Sequence, residues 1–437
     1  MPVNVAIVGS GPAGFYTAAA LIDQGEDVRI DFIERLPTPF GLIRGGVAAD
    51  HQTTKKVANK YEKTALMEQV RYYGNVEVGR DIALADLRER YDAVVLAIGA
   101  PEDRVLDIPG ADKAGVFGAA AFVGWYNGHP DFCTLNPDLN VAAAAVIGAG
   151  NVAIDVARLL GRSDQELATS DLPEYAETAF RRSPVKDIYL FARRGPVEVK
   201  ITNVELREVG TLTECVPLVN AAQLPEGVGN LEDREKRLKE RNLETFKEFS
   251  NRDGQEKPKR MHFEFYAAPS EILGGDKVEG IRLERTRVED GRAVGTGKFF
   301  DVPCGLVVSA IGYHGEPLDG APFDDRRDII PNDDGRVDAG LYAAGWIKRG
   351  PSGVISTNRP DGVTAAEHIL NDFNSAAKES KPGREALETL LREKNIRFVS
   401  YNDWKKIEAA EFKNAEGDRP RKKFTTIQDM LDVLDER

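Results

Sequence analysis

Cysteine is scarce. Three residues in 437, Cys133, Cys215 and Cys304, lie far apart and form no C-x-x-C pair. This spacing argues against a disulfide framework, a redox-active disulfide or a sequence-encoded iron–sulfur cluster. Long apolar runs are also missing. The longest, Val141 to Gly150, is interrupted by glycine and is too short to span a bilayer, so no membrane insertion is expected. The N-terminus enters a strand pattern at once, without a basic leader or a cleavage site, so the expected location is cytoplasmic. His129, His262, His314 and His368 show no metal-ligand spacing, and no H-E-x-x-H or G-x-S-x-G occurs, so no metal site is expected. Positive charge is in the minority, with 58 Lys and Arg against 71 Asp and Glu. The resulting net charge of −13 disfavours nonspecific binding of nucleic acid.

What is present, 42% hydrophobic and 30% charged residues, is the composition of an ordinary globular protein of two or three domains. Val3 to Val8 reads as a short buried strand, Ser10 to Gly25 as a tight turn and a small-residue helix, and Val28 to Glu34 as a second strand. Between them lies Gly9-Ser10-Gly11-Pro12-Ala13-Gly14, a full G-x-G-x-x-G. Gly9 permits the turn, Gly11 lets the backbone approach a pyrophosphate, and Gly14 allows close helix–strand packing. Glu34 stands twenty positions after Gly14, where a carboxylate can accept ribose hydroxyls.

The pattern then repeats. Val141 to Ile147 reads as a strand, Gly148-Ala149-Gly150 as a turn, and Asn151 to Leu160 as a helix. A polar, helical insert over about 163 to 182 precedes the strand Asp187 to Arg193. Gly148-Ala149-Gly150-Asn151-Val152-Ala153 is the G-x-G-x-x-A variant of the fingerprint. The following strand ends in Arg193-Arg194 rather than in an acid. Two guanidinium groups suit a 2′-phosphate, so NADP(H) is favoured over NAD(H). Gly305 to Gly312 and Leu341 to Gly345 read as later strands, which suggests that one nucleotide-binding unit is nested in the other.

Other signals are weaker on their own. A lone histidine such as His51, in a polar loop entering a helix, is more commonly an exposed or capping residue. Glu205 and Glu208 share a helix face, ordinarily a solvated one. The stretch Leu231 to Arg260 holds ten Lys and Arg against eight Asp and Glu, and a solvated helix is the commoner reading of such a run.

Seven segments together carry a resemblance: Val8–Tyr16, Pro39–Arg44, Gly46–His51, Gly150–Arg158, Arg193–Pro196, Glu205–Glu208 and Gly345–Ile355. With them the chain resembles the adrenodoxin-reductase-like ferredoxin–NADP reductases, including the bacterial ferredoxin/NADPH reductases of that type. The likeness runs from residue 3 to about 372 and more faintly through the C-terminal segment. It implies that Gly9, Gly11, Ala13, Gly14, Glu34, Leu42, Gly345, Trp346, Gly353, Val354 and Ile355 bind FAD. It also implies that Gly150, Asn151, Val152, Arg193, Arg194 and Glu205 bind NADP(H), with Trp346 and Gly353 where nicotinamide meets flavin. His51 and Glu208 would be the catalytic pair, joined by a proton network. Two departures border the flavin: the family usually has an aromatic residue where Gly45 stands and a proline where Ala49 stands. A third, Val197-Glu198-Val199-Lys200 after Gly195-Pro196, borders the NADP pocket.

The expected fold is α/β with two Rossmann-like nucleotide-binding domains, the NADP domain (104–324) inserted into the FAD domain (1–103 and 325–375). Residues 376–437 are expected to form an appended, less essential segment. The expected activity is that of a flavoprotein ferredoxin–NADP(+) reductase: hydride transfer between NADPH and FAD, coupled to one-electron exchange with a ferredoxin. The alternatives are a flavin/NADPH subunit of a larger redox complex, like a glutamate-synthase small subunit, or a non-catalytic nucleotide-binding protein. An acidic ferredoxin is expected to dock near Arg237, Lys239 and Arg241, on a chain that is a monomer or a weak dimer.

Overall fold

Val3–Val8 is buried along its whole length, with no alternation between faces. That is the signature of a central strand in a parallel sheet covered on both sides. The computed structural model describes residues 2–25, 27–375 and 380–435. In it Val3–Val8 lies between Val28–Glu34 and Ala93–Leu96, parallel to both, with Ile7 level with Phe32 on one side and Val95 on the other. The sheet runs Arg336–Asp338, Leu341–Ala343, Ala93–Leu96, Val3–Val8, Val28–Glu34, Val70–Gly74, and only the first of these is antiparallel to its neighbour. A second, all-parallel sheet runs Val116–Gly118, Leu306–Ser309, Ala143–Ile147, Asp187–Phe191, Lys259–Glu264, Cys215–Val219.

In each sheet the strand order reverses beside the strand that feeds a glycine fingerprint, Val3–Val8 in one and Ala143–Ile147 in the other. Ligands of open α/β sheets bind at such switch points, outside the carboxyl ends of the strands. The chain leaves the first sheet after Ala93–Leu96 and returns to complete it with Arg336–Asp338 and Leu341–Ala343. A short antiparallel ribbon, Glu102–Asp103 against Tyr313–His314, joins the outgoing and returning crossings. The nested order expected from the sequence is therefore the observed one. A three-stranded antiparallel sheet, Ala267–Leu273, Gly280–Glu289 and Arg292–Pro303, was not anticipated; it packs on the second sheet through Ile272, Ile281 and Leu283.

The helix Pro12–Gln24 starts with proline, whose missing N–H costs nothing in a first turn, and stops at Gly25, whose N–H returns to the Leu21 carbonyl. The helix Asn358–Ser375 lies against it so closely that a Cβ on Gly362 would sit 2.6 Å from the backbone at Tyr16 and Thr17. This contact brings the loop before Asn358 to the first fingerprint.

The C-terminal segment corrects the sequence-based expectation. It packs into the first sheet and its core instead of standing apart as an appendage. Val399 exchanges both backbone hydrogen bonds with Gly74 (2.9 and 2.8 Å), capping the edge strand of the first sheet. A helix Tyr401–Lys413, opened by a Ser400/Asp403 capping box, then buries Trp404 and Ile407 in the first sheet's core, where Met430 joins them. Its attachment rests on contacts across more than three hundred residues, for which a local pattern carries no signal.

Candidate functional site

The glycines of the two fingerprints divide into two kinds. Gly9, at φ +98°, and Gly14 are demanded by the protein itself: a Cβ would lie 2.5 Å from the Ala97 carbonyl in the first case and 2.3 Å from the Gly9 carbonyl in the second. Gly148 is equally confined, 2.4 Å from the Ala310 carbonyl. Gly11 and Gly150 are different. Both have an extended backbone that any residue adopts. A Cβ on Gly150 would meet nothing within 4 Å, and one on Gly11 only the Gly41 Cα at 4.0 Å. No protein atom requires a glycine at either position, so the open space in front of each helix N-terminus fits a phosphate approaching the backbone. Both sites thus fit a dinucleotide.

Around the first, Glu34 is buried and accepts hydrogen bonds from the Ser10 N–H (2.9 Å), the Ser10 hydroxyl (2.7 Å) and the Leu36 N–H (3.1 Å). A carboxylate offers about four acceptor positions. One remains for a ribose hydroxyl, and a second opens only if the Ser10 hydroxyl turns away. Ala13 is buried beneath the turn, and a Cβ on Gly345, at φ +79°, would lie 2.5 Å from the Ala13 Cβ, so the Gly345-Trp346 loop is pressed onto this fingerprint. Leu42 and Val354 are exposed apolar side chains; Gly353 is exposed and Ile355 half-buried. The Trp346 ring is 5.8 Å from Tyr313, and its N–H donates to the Ser352 carbonyl (3.2 Å).

The departure at Gly45 has a local reason: a Cβ there would lie 2.9 Å from the His129 ring, which occupies that space. Ala49 is fully buried among residues of the second sheet's core, and its carbonyl accepts from the Asp171 N–H (3.1 Å) and the Gln52 amide (2.7 Å). In the altered stretch after Gly195-Pro196, Glu198 lies close over Gly195, as does Tyr266 from outside the stretch.

At the second fingerprint, the Asn151 side chain accepts from the Thr202 N–H (2.9 Å), tying the helix start to the cap of the helix that carries Glu205. Val152 is half-buried beside it. Arg193 is exposed and makes no ion pair among the described residues, whereas Arg194 is half-buried and donates to the Gly291 carbonyl (3.2 Å).

His51 and Glu208 meet where the two nucleotide-binding units join. His51 Nε2 is 3.0 Å from Glu208 Oε2 and 3.4 Å from Glu205 Oε2. The helix Asn203–Val209, capped by Thr202, places both glutamates on one face, as their spacing implied. His51 also occupies the first position before the short helix Gln52–Lys55, but its side chain makes no capping bond. Four further residues complete the cluster and escaped the sequence reading: Asp50, Asp155, Arg158 and Arg162. Arg158, whose side chain is wholly buried, donates to both oxygens of Asp50 (2.7 and 2.9 Å) and to Glu205 (3.2 Å), and stands 2.8 Å from Asp155. Arg162 reaches Asp50 (2.6 Å) and Glu208 (3.1 Å). One signal was available. Arg158 follows Ile154 by four positions in a helix whose other inward positions are apolar, so it is a charge on the core face.

Burial alone would push the Asp50 carboxyl up, but Arg158 and then Arg162 hold it far below the usual range. Burial pushes Asp155 and Glu205 up, against the pull of Arg158 and His51. For His51 burial favours the neutral ring, yet the hydrogen bond to Glu208, aided by Asp50 and Asp155, outweighs burial and the opposing Arg158, and raises its pKa. The bond to His51 lowers Glu208 in turn. The pair can therefore hold a proton on the imidazole at a pH where a free histidine has released it. Although Asp50, His51 and Glu208 lie close enough to bridge a cation, their carboxylates are already turned onto two guanidiniums.

A raised histidine contributes stability that is fully present below its ordinary value of 6.5 and is lost as pH rises through the folded-state value. Glu208→Gln is expected to lower the His51 pKa and to remove that loss from the stability–pH curve above pH 6.5. Titration of the His51 ring protons by NMR checks this; an unchanged His51 titration in the variant would refute the pairing.

The three cysteines are free, with burial pushing Cys215 and Cys304 up to about 12, so a thiolate pair is not part of either site. Among the described residues no helix is long and apolar enough to cross a membrane.

Comparison with known proteins shows what the chain as a whole is similar to. A family model described as pyridine nucleotide-disulphide oxidoreductase matches residues 3–170. The chain is 42% identical to the NADPH:adrenodoxin oxidoreductase of Salvelinus fontinalis, with 98% of this chain and 91% of the relative covered. It is 39% identical to the NADPH-ferredoxin reductase FprA of Mycobacterium leprae, with 98% of each covered. The solved structure of Mycobacterium tuberculosis FprA in complex with NADPH superposes with a TM-score of 0.94, at 37% identity and with 99% of both chains covered.

Proposed function

The chain belongs to the family of the NADPH:adrenodoxin oxidoreductases and NADPH-ferredoxin reductases, and from that premise we propose that it passes electrons from NADPH through FAD to a ferredoxin. A ferredoxin–NADP(+) reductase is favoured over a reductase restricted to adrenodoxin. The observation that carries the reading is the asymmetry of the two switch-point sites: both hold an open glycine, Gly11 and Gly150, but one is closed by Glu34 and the other by Arg193 and Arg194. The first suits the neutral ribose of FAD and the second a phosphorylated ribose.

The division of labour follows. Residues 1–103 and 325–375 form the FAD domain and 104–324 the NADP domain. Gly9, Gly11, Ala13, Gly14, Glu34 and Leu42 hold the dinucleotide end of FAD and one side of its ring, and Gly345, Trp346, Gly353, Val354 and Ile355 cover the other. Gly150, Asn151 and Val152 seat the NADPH pyrophosphate, Arg193 and Arg194 the 2′-phosphate, and Glu205 the nicotinamide end near Trp346 and Gly353. FAD supplies the ability to exchange either a hydride or single electrons. Trp346 and the loop behind it would shield the bound flavin and nicotinamide from water. His51 and Glu208 hold and return the proton that accompanies electron transfer at their shared Nε2–Oε2 bond. Purified protein should carry a flavin absorbance and reduce ferricyanide with NADPH well ahead of NADH; a colourless protein without that activity refutes the proposal.

The partner surface is revised in one residue. On the helix Asp233–Ser250, Arg237 and Arg241 are exposed, but Lys239 is half-buried and donates to the Val199 carbonyl (2.7 Å). Burial lowers Lys239, with Glu235 and Glu198 opposing and Arg194 and Lys200 adding to the shift, so it sits beside Arg194 rather than on the open face of the helix. Arg234 takes its place in docking: Arg234, Arg237 and Arg241 line one face around the exposed Leu238. The double variant Arg237→Glu/Arg241→Glu is expected to raise the KM for an acidic ferredoxin about tenfold at low salt and to flatten its ionic-strength dependence. The NADPH–ferricyanide rate of the same variant should be unaltered. Ferredoxin kinetics across a salt series check this, and an unaltered salt dependence places the docking face elsewhere.

A further inference from the structure

The wall facing Gly11 is the turn Phe40-Gly41, continued by the short helix Leu42–Gly45. A Cβ on Gly41, at φ +49°, would lie 3.0 Å from the Gly11 Cα. Phe40 has φ +84°, a conformation that a bulky residue keeps only where its surroundings over-determine it. Those surroundings come in part from far along the chain. The Phe40 ring packs among Phe15, Tyr61 and Trp404, at 5.6, 6.4 and 6.3 Å between centroids. The Arg44 guanidinium lies over the same Trp404 ring, 5.2 Å from its centre.

Arg44 is then gripped twice. Its guanidinium makes a two-pronged pair with Glu411, Nη1 donating to Oε2 at 2.9 Å and Nη2 to Oε1. Glu411 has no solvent-exposed surface and also accepts from the Phe424 N–H (3.0 Å) and from Arg421 (3.4 Å). The Arg44 carbonyl accepts from Lys423 (3.4 Å), a buried lysine that also donates to the Asn127 carbonyl (2.9 Å) and pairs with Asp171 (3.2 Å). A buried charge that has lost its partner is costly, so the two-pronged pair with Glu411 holds Arg44 in this position.

We propose that Glu411 and Lys423 are positioning residues for the flavin, holding the Phe40–Arg44 turn against Gly11 in the shape that binds FAD. The proposal rests on the reading of the first fingerprint as the FAD site. It makes flavin affinity depend on a segment outside both fingerprints, and it gives the C-terminal residues a part in the reaction beyond covering an edge strand.

Glu411→Gln keeps the size of the side chain and its acceptor for the Phe424 N–H while removing the charge. Its apoprotein is expected to bind FAD about tenfold or more weakly, read by quenching of flavin fluorescence, with an altered visible circular dichroism of the bound ring. Binding of 2′,5′-ADP at the second fingerprint should stay within about twofold, which separates a local effect from general unfolding. Lys423→Met is expected to act in the same direction, and Glu411→Gln should add no further loss once Arg44 is glutamine. A Glu411→Gln chain that melts earlier yet binds FAD with unchanged affinity and dichroism overturns the proposal and leaves Glu411 a stability residue. If the variants do not fold, hydrogen exchange on the unmodified protein decides. Removing FAD should speed exchange at residues 404–412 and 422–424 as well as 40–46, and equal exchange in the C-terminal segment with and without FAD overturns the proposal. A parent chain that takes up no FAD overturns the site assignment and this proposal with it. A parent that binds FAD beside a Glu411→Gln chain that binds it equally well overturns the proposal alone.

Discussion

Replacing Arg193 and Arg194 together by alanine is expected to raise the KM for NADPH about a hundredfold while leaving that for NADH within about twofold. Hydrogen bonds to charged groups contribute about 1.5–3 kcal/mol each. Two at the lower end sum to about 3 kcal/mol, or roughly two powers of ten. Arg193, exposed and without an ion pair among the described residues, has its whole fork to offer, so the phosphate replaces water rather than a protein partner. Arg194 gives one N–H to the Gly291 carbonyl and keeps the others. Arg194 and Lys200 both act on Lys239, as do the carboxylates Glu235 and Glu198, so the arginine fork itself, rather than an unbroken field of positive charge, is what selects the phosphate. Because NADH lacks the 2′-phosphate, it should feel little of the change. Steady-state kinetics with both coenzymes provide the measurement, and equal effects on the two would contradict the assignment.

Arg158→Leu is expected to cost about 3–5 kcal/mol of folding stability, the amount typical of removing one partner from a buried ion pair. The substitution leaves Asp50, with only 1% of its side chain exposed, to Arg162 and the more distant His51, and leaves Asp155 facing His51 at 3.9 Å in place of the guanidinium at 2.8 Å. By contrast, a pair such as Arg282–Asp301 adds little to stability, since water already solvates both ends. The sign of the pH dependence separates the two cases further. Asp50 has a depressed pKa, so its contribution is present at neutral pH and lost as pH falls through its folded-state value. Arg158→Leu should therefore flatten the acid limb of the stability curve as well as lower its plateau. Urea unfolding between pH 7 and the acid limit tests this, and a loss below about 1 kcal/mol would mean that Arg158 is solvated rather than locked. The pair also links Asp50, from the chain around the first site, to the helix of the second fingerprint, so its loss should weaken the meeting of the two nucleotide units.

Much of the architecture was legible in the sequence because its causes are local. A strand buried on both faces, a glycine turn and a helix opened by Pro12 are decided within a dozen residues. The nested order could be read from the glycine-ended strands that follow the second fingerprint. The site was legible at the fingerprints for the same reason, and the pairing of His51 with Glu208 followed from the family's segments rather than from any pattern in either residue. Lys239 was expected on the docking face with Arg237 and Arg241, and a charge run does not reveal that it turns inward; only the helix register against Val199 decides that.

By itself, then, the sequence determined the two nucleotide units, their order and the strand-end charges on which the proposed choice of ribose rests, since helix starts, glycine turns and strand-end charges are short-range matters of backbone geometry and charge. Tertiary structure alone decided that Arg158 is the buried centre of a seven-residue ionic cluster and that His129 fills the space over Gly45. It alone decided that Glu411 and Lys423 close on Arg44 from more than 360 positions away. Each of these depends on desolvation, and which charges lose their water is settled only when distant segments close over them.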